Sequence, residues 1–165
     1  MKKTISIIIS IAMCAMLASC GGVKNEVSDT EQPTLIDTMS LEEKVGQILF
    51  VRCVDDEQTD DLMSIKPGGI LMFGRDFEGL TKDEVKEKIQ SYQDKSDIPL
   101  IIGADEEGGT VVRVSSNPNL APEKFKSPQE IYNEGGMDAA VENATEKSEL
   151  LLSLGVNMNL APVAD

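Results

Sequence analysis

The chain has 165 residues, enough for one modest domain, and its hydrophobic fraction of 41% is ordinary for a globular protein. Acidic residues outnumber basic ones 29 to 15, for a net charge of −14, which argues against nucleic acid or an anionic lipid surface as an electrostatic partner. Aromatic residues make up only 4% and tryptophan is absent, so the stacking platforms that sugar-binding modules commonly use are nearly missing.

At the N-terminus, Lys2 and Lys3 precede an apolar run over residues 5–17. This has the layout of a secretory signal and is too short to span a bilayer. Leu17-Ala18-Ser19-Cys20-Gly21 then resembles the lipobox of bacterial lipoproteins, where cleavage exposes the cysteine for acylation. An ordinary signal peptide with an incidental cysteine is the alternative. The resemblance implies a signal peptide at 1–19, export across the cytoplasmic membrane, and a membrane anchor through lipid on Cys20. Cys53 would then lack a disulfide partner and reads as a small buried residue on a strand. Residues 22–38 are rich in Ser, Thr, Glu, Gln and Asp with almost no apolar period. Residues 20–39 are therefore assigned to a flexible tether and 40–165 to the folded domain.

In the folded part, Ser40 with Glu43 forms a capping box, and Leu41, Val45, Ile48 and Leu49 recur at helical spacing, predicting a short opening helix. Residues 50–54 alternate and predict a first strand. Residues 55–65, with Leu62, Met63 and Ile65, predict a short helix before the Pro67-Gly68-Gly69 turn. A second apolar strand spans 70–73. Arg75 and Asp76 follow it, either facing a site or joined in a structural ion pair. Thr81 and Glu84 make another capping box, and Val85, Ile89 and Tyr92 give the next helix one apolar face.

Residues 100–114 read L-I-I-G-A-D-E-E-G-G-T-V-V-R-V, a buried parallel strand emptying into an acidic, glycine-rich loop. Strand alternation puts Asp105 and Glu107 on one face and Glu106 on the other, so two carboxylates can address one ligand. Gly108 and Gly109 allow a sharp turn or a close approach of the backbone to that ligand. Solvated loop acids or helix caps are the alternative. The sequence has no histidine, and no ligand set of recognisable spacing calls for a metal. G-A-D-E-E-G also lacks the second glycine of a dinucleotide loop, so no cofactor is expected.

A loop with Pro118, Pro122 and Pro128 follows, and then Ser127-Pro128-Gln129-Glu130 starts a short helix broken at Gly135-Gly136. A longer helix over 138–154 carries the stripe Ala140, Val141, Ala144, Leu151 and Leu152, and Gly155 stops it. A fourth strand at 156–160 places Asn157 and Asn159 on one face. Strands alternating with helices predict a parallel sheet, as a (β/α)8 barrel or a doubly wound fold.

D-E-E-G-G-T-V-V-R at 105–113 resembles the D-x-E-G-G-x-V-x-R motif of family 3 of the glycoside hydrolases, especially its bacterial β-N-acetylhexosaminidase branch. L-E-E-K-V-G-Q-I-L-F at 41–50, P-G-G-I-L-M-F-G-R at 67–75 and G-V-N-M-N-L-A-P-V-A-D at 155–165 agree in order and spacing. The resemblance departs at Thr110, where the family usually carries Arg. It implies an α/β fold that is the N-terminal half of a (β/α)8 (TIM) barrel, about four β/α units. Such barrels need about 250 residues, and residues 41–165 are roughly half of that.

The same resemblance implies an exo-acting retaining glycosidase for terminal β-linked N-acetylhexosamine in cell-wall or chitin fragments. A β-glucosidase of the family, or a non-catalytic glycan-binding surface lipoprotein, is the alternative. Asp105 matches the aspartate that binds hydroxyls of the terminal sugar. Arg113 matches the Arg closing the motif, as a partner for Asp105, for a sugar hydroxyl, or for a structural ion pair. Glu107 is expected to support the loop, and Asp165, ending A-P-V-x-D, to act structurally more than by sugar contact. The family's Asp nucleophile and its Asp-His acid/base pair match nothing in residues 1–165. The expectation is a chain that hydrolyses nothing alone, lacks the C-terminal half of its barrel, and has open sheet edges prone to self-association.

Overall fold

A computed structural model of the chain describes residues 33–163. The lipobox with Cys20, most of the tether, and Asp165 lie outside the described residues. Four parallel strands follow one another across the sheet in chain order: β1 (Phe50–Arg52), β2 (Gly69–Met72), β3 (Ile101–Ala104) and β4 (Met158–Asn159). Six α-helices are described: α1 (Leu35–Thr38), α2 (Leu41–Ile48), α3 (Thr59–Ser64), α4 (Gly74–Phe77), α5 (Lys82–Gln93) and α6 (Pro128–Leu154). A 3-10 turn at Asp56–Gln58 leads into α3. Consecutive strands that are neighbours and parallel, with helices in the crossovers, are what the winding of a (β/α) barrel requires.

Strand alternation divides the sheet cleanly. Cys53, Ile70, Met72, Ile102 and Ala104 are buried on the helical side, where they meet Met63, Val85, Ile89, Tyr92, Leu151 and Leu154 in one core. The opposite face carries Phe50, Arg52, Leu71 and Ile101. Phe50 lies flat across two strands there because Gly69 and Gly103 have no side chains: a Cβ at either would come within 2.6 Å of its ring. Ile70 and Met72 are completely buried, so the core-facing side of β2 is fully covered. On the concave face of the sheet, apolar surface stays open at Phe50 (38% exposed) and Ile101 (42% exposed).

The capping boxes at Ser40, Thr81 and Ser127 all form, each with the hydroxyl accepting the third residue's N–H and the glutamate returning to the cap. α6 breaks where the double glycine predicts, with Gly136 at φ 66. Gly155, at φ 92, ends it in a left-handed conformation that a side chain would disfavour.

Several expectations need correction. The apolar positions of α2 do not face inward: Leu41 is 72% exposed and Ile48 81% exposed. This helix docks through Gly46 instead, because Gly46 packs on the carbonyls of Ile65 and Lys66 while Gln47 Nε2 donates to Lys66 O (2.9 Å). Replacing Gly46 by Ala adds helix propensity worth about 1 kcal/mol, but its Cβ would stand 2.2 Å from Ile65 O. Overpacking should prevail, with a net loss of about 1–3 kcal/mol in urea denaturation. Unchanged or raised stability would show that α2 is not anchored there.

Along α6 the inward residues are Lys147, Leu151 and Leu154, whereas Val141 and Leu152 of the expected stripe are exposed. The inward line follows the 4- and 3-residue steps from Lys147, a polar position that an apolar-stripe search skips. Cys53 is buried but lies one residue beyond β1, with Sγ 3.1 Å from Tyr92 OH. Burial pushes its thiol pKa up.

β4 has only two residues, and two side-chain amides add to its pairing with β3. Asn157 Oδ1 accepts from Ile102 N (2.8 Å) and its Nδ2 donates to Leu100 O (3.2 Å). Asn159 does the same with Glu106 N (2.9 Å) and Glu106 O (3.1 Å). Each asparagine thus acts as a peptide group at one end of the strand.

Candidate functional site

The polar residues gather where parallel strands end at their C-termini, the face on which barrels bind ligands. A cavity of about 270 Å³ at the other end, lined by Glu43, Gln47, Lys66 and residues 95–98, is remote from them. Asp105 follows β3 directly and continues the concave face of Ile101 and Gly103. Its Oδ2 accepts from Arg113 Nη2 at 3.3 Å, with the two side chains 23% and 29% exposed. A pair this open fixes orientation more than it adds stability. It also leaves Asp105 acceptor capacity for a ligand. Arg113 Nε is buried without a hydrogen-bond partner, and its guanidinium lies 5.8 Å from the Phe73 ring centroid.

Glu106 turns the other way, as alternation requires, and is completely buried. Its Oε2 accepts the backbone N–H of Arg113 and of Val114, both at 2.7 Å. Its Oε1 accepts Ser115 N (3.2 Å) and the Ser115 hydroxyl. A buried carboxylate is tolerable only when its lone pairs are satisfied in this way. One side chain therefore closes the 105–115 loop on itself and places Arg113 beside Asp105. Sequence reading put Glu106 on the far face but gave it no role; an acid predicted to point into a core was the available signal.

Glu107 is half-buried; its backbone N–H donates to Val111 O (3.0 Å) and its carbonyl accepts from Lys147 Nζ (2.7 Å), bonds that do not depend on its side chain. Lys147 was not anticipated. It lies 5.4 Å from the Phe125 ring centroid, and burial lowers its pKa against the opposing pull of Glu106 and Glu107. The double glycine serves the turn and the close packing of the chain on itself. At Gly108 (φ 104) a Cβ would meet Lys126 O at 2.1 Å, and at Gly109 (φ 67) it would meet Ser127 Cβ at 2.9 Å. Gly109 N donates to Phe125 O at 2.8 Å.

Arg75 and Asp76 form the structural pair rather than a site. Asp76 is buried and caps Phe73 N (2.7 Å), while Arg75 Nε is 3.6 Å from Asp76 Oδ1 and its Nη2 donates to Cys53 O (3.4 Å). Among the described residues no cluster of three His, Cys, Asp or Glu is arranged to hold a metal ion.

A parallel α/β sheet presenting a D-x-E-G-G-x-V-x-R loop at its C-terminal end defines the class. The chain belongs to glycosyl hydrolase family 3, whose N-terminal domain matches residues 40–165. A β-hexosaminidase of Haemophilus influenzae is 24% identical over 112 residues, covering 68% of this chain and 31% of that enzyme. β-Hexosaminidase A of Pseudoalteromonas piscicida is 31% identical over 101 residues, covering 59% of this chain and 17% of that protein. The solved structure of a family 3 β-N-acetylglucosaminidase from Paenibacillus sp. str. FPU-7 aligns with a TM-score of 0.66 at 26% identity, over 75% of this chain and 24% of that one. The chain thus spans about a third or less of the length of these curated relatives.

Proposed function

We propose that residues 40–165 are the sugar-binding N-terminal part of an exo-acting, retaining β-N-acetylhexosaminidase. The substrate class is terminal β-linked N-acetylhexosamine in cell-wall or chitin fragments. The observation that carries this reading is Asp105, held by Arg113 on the concave face at the strand ends, with acceptor capacity to spare. A carboxylate in that position takes adjacent hydroxyls of a terminal sugar in charge-assisted bonds and so fixes the ring. The relatives' activities, β-hexosaminidase and β-N-acetylglucosaminidase, support the choice of sugar. Retaining hydrolysis also needs a nucleophile and a proton donor flanking the scissile bond. No matched residue supplies either, so the proposal places both in polypeptide outside residues 40–165. Asp165 is proposed as a structural residue rather than a direct sugar contact.

The test is turnover of aryl glycosides by the complete enzyme that carries this domain. Hydrolysis of the N-acetyl-β-glucosaminide well above the β-glucoside is expected. The reverse preference would favour a β-glucosidase, and turnover of neither would favour a binding lipoprotein.

The proposal further places the protein outside the cytoplasmic membrane, anchored through lipid on Cys20, with 20–39 as spacer. No helix among the described residues is long and apolar enough to cross a membrane. Metabolic labelling with a palmitate analogue should mark the wild type and not Cys20→Ala; a labelled variant would remove the anchor from the account.

A further inference from the structure

Only three of the chain's 15 basic residues are arginines, and all three stand at the C-terminal ends of successive strands: Arg52 on β1, Arg75 after β2, Arg113 after β3. Arginine is the side chain suited to planar, multi-donor recognition of oxygen acceptors. Two of the three are spoken for, since Arg75 lies on Asp76 and Cys53 O, and Arg113 on Asp105. Arg52 is different. It is exposed, no described carboxylate lies within ion-pair distance of it, and its contact is the face of Phe73, with its guanidinium carbon 4.9 Å from the ring centroid.

We propose that Arg52 is a sugar-binding residue: stacked on Phe73, its guanidinium donates to hydroxyl oxygens of the same terminal sugar whose hydroxyls Asp105 accepts. The assignment rests on the glycosidase reading above and deepens it.

Register supplies the geometry. Arg52 pairs with Leu71, and Leu71 with Gly103, so all three share one level of the sheet. Two residues further along their chains, on the same concave side, come Phe73 and Asp105. The Arg52 side chain rises to the Phe73 ring, which places its donors toward the level of Asp105. Arg113 approaches the same ring from its own loop at 5.8 Å. The ring attracts both guanidinium groups and consumes none of their N–H donors.

Charge and hydrogen-bond chemistry then separate the two arginines. Asp105 balances Arg113, leaving Arg52, among the described residues, as the cation of this face without an ion-pair partner. Asp105 only accepts and Arg52 only donates, and a sugar hydroxyl does both, so adjacent hydroxyls can satisfy the two together. The motif's departure fits as well. Position 110 is Thr and exposed, so the loop after β3 offers one guanidinium and the second comes from β1.

The experiment is steady-state kinetics of the complete enzyme on an aryl N-acetyl-β-glucosaminide, with inhibition by free N-acetylglucosamine and a thermal melt, for wild type, Arg52→Met and Arg52→Lys. Met keeps the stem over Phe73 and removes the donors. It should lower kcat/KM about 10- to 150-fold and raise the inhibition constant of N-acetylglucosamine in parallel, with the melting temperature unchanged. Lys, a point donor, should recover part of both losses. Wild-type kinetics and inhibition in Arg52→Met, or a loss that tracks a lowered melting temperature, overturns the assignment alone. A wild-type enzyme that neither hydrolyses nor binds a glycoside overturns the glycosidase reading and the assignment with it.

Discussion

Replacing Glu106 by alanine should destabilise the domain by about 3–5 kcal/mol, among the larger effects a single substitution produces. The variant removes a completely buried carboxylate that accepts three backbone N–H groups and one hydroxyl. Val114 and Ser115 are buried, so their donors cannot turn to water and are left to bear their desolvation cost. The Asn159 amide, bonded to the Glu106 backbone, is untouched. Glu106→Gln keeps the shape and one acceptor oxygen but presents an NH2 to two of the donors, and it should fall between wild type and alanine. Urea denaturation or a thermal melt of the complete protein measures this, with a midpoint lowered by roughly 10 °C or more for the alanine variant. Wild-type stability in Glu106→Ala would mean that the loop is closed by something other than this carboxylate. Activity should fall with stability here, because the same bonds set Arg113 beside Asp105.

Much of this architecture was legible in residue order. The capping boxes at Ser40, Thr81 and Ser127, the break at Gly136 and the stop at Gly155 are local devices, encoded within a few residues of where they act. The separation of Asp105 from Glu106 also followed from strand alternation alone. What the sequence hid is tertiary. Nothing local to α2 announces that Gly46, rather than the apolar stripe of Leu41, Val45 and Ile48, meets the turn at residues 65–66. The pairing of Lys147 with a carbonyl 40 residues away, and the use of Asn157 and Asn159 as peptide surrogates, depend on partners that periodicity does not name. At the site, Asp105 and Arg113 are close in sequence and were found together. Arg52 and Phe73 join them only because parallel register brings three strand ends side by side.

Asp105→Asn is the measurement closest to the central claim, that this carboxylate binds the terminal sugar. Asparagine preserves the shape and one acceptor oxygen but loses the charge. The charge-assisted bonds it forfeits are worth on the order of 1.5–3 kcal/mol, hence roughly 10- to 150-fold in kcat/KM. The ion pair with Arg113 is partly exposed on both sides, at 29% and 23%, so its loss should cost about 1 kcal/mol of stability. In the complete enzyme, the account predicts kcat/KM on an aryl N-acetyl-β-glucosaminide reduced by that factor at a nearly unchanged melting temperature. An Asp105→Asn enzyme with wild-type kcat/KM on that substrate would contradict it and move the sugar away from this loop.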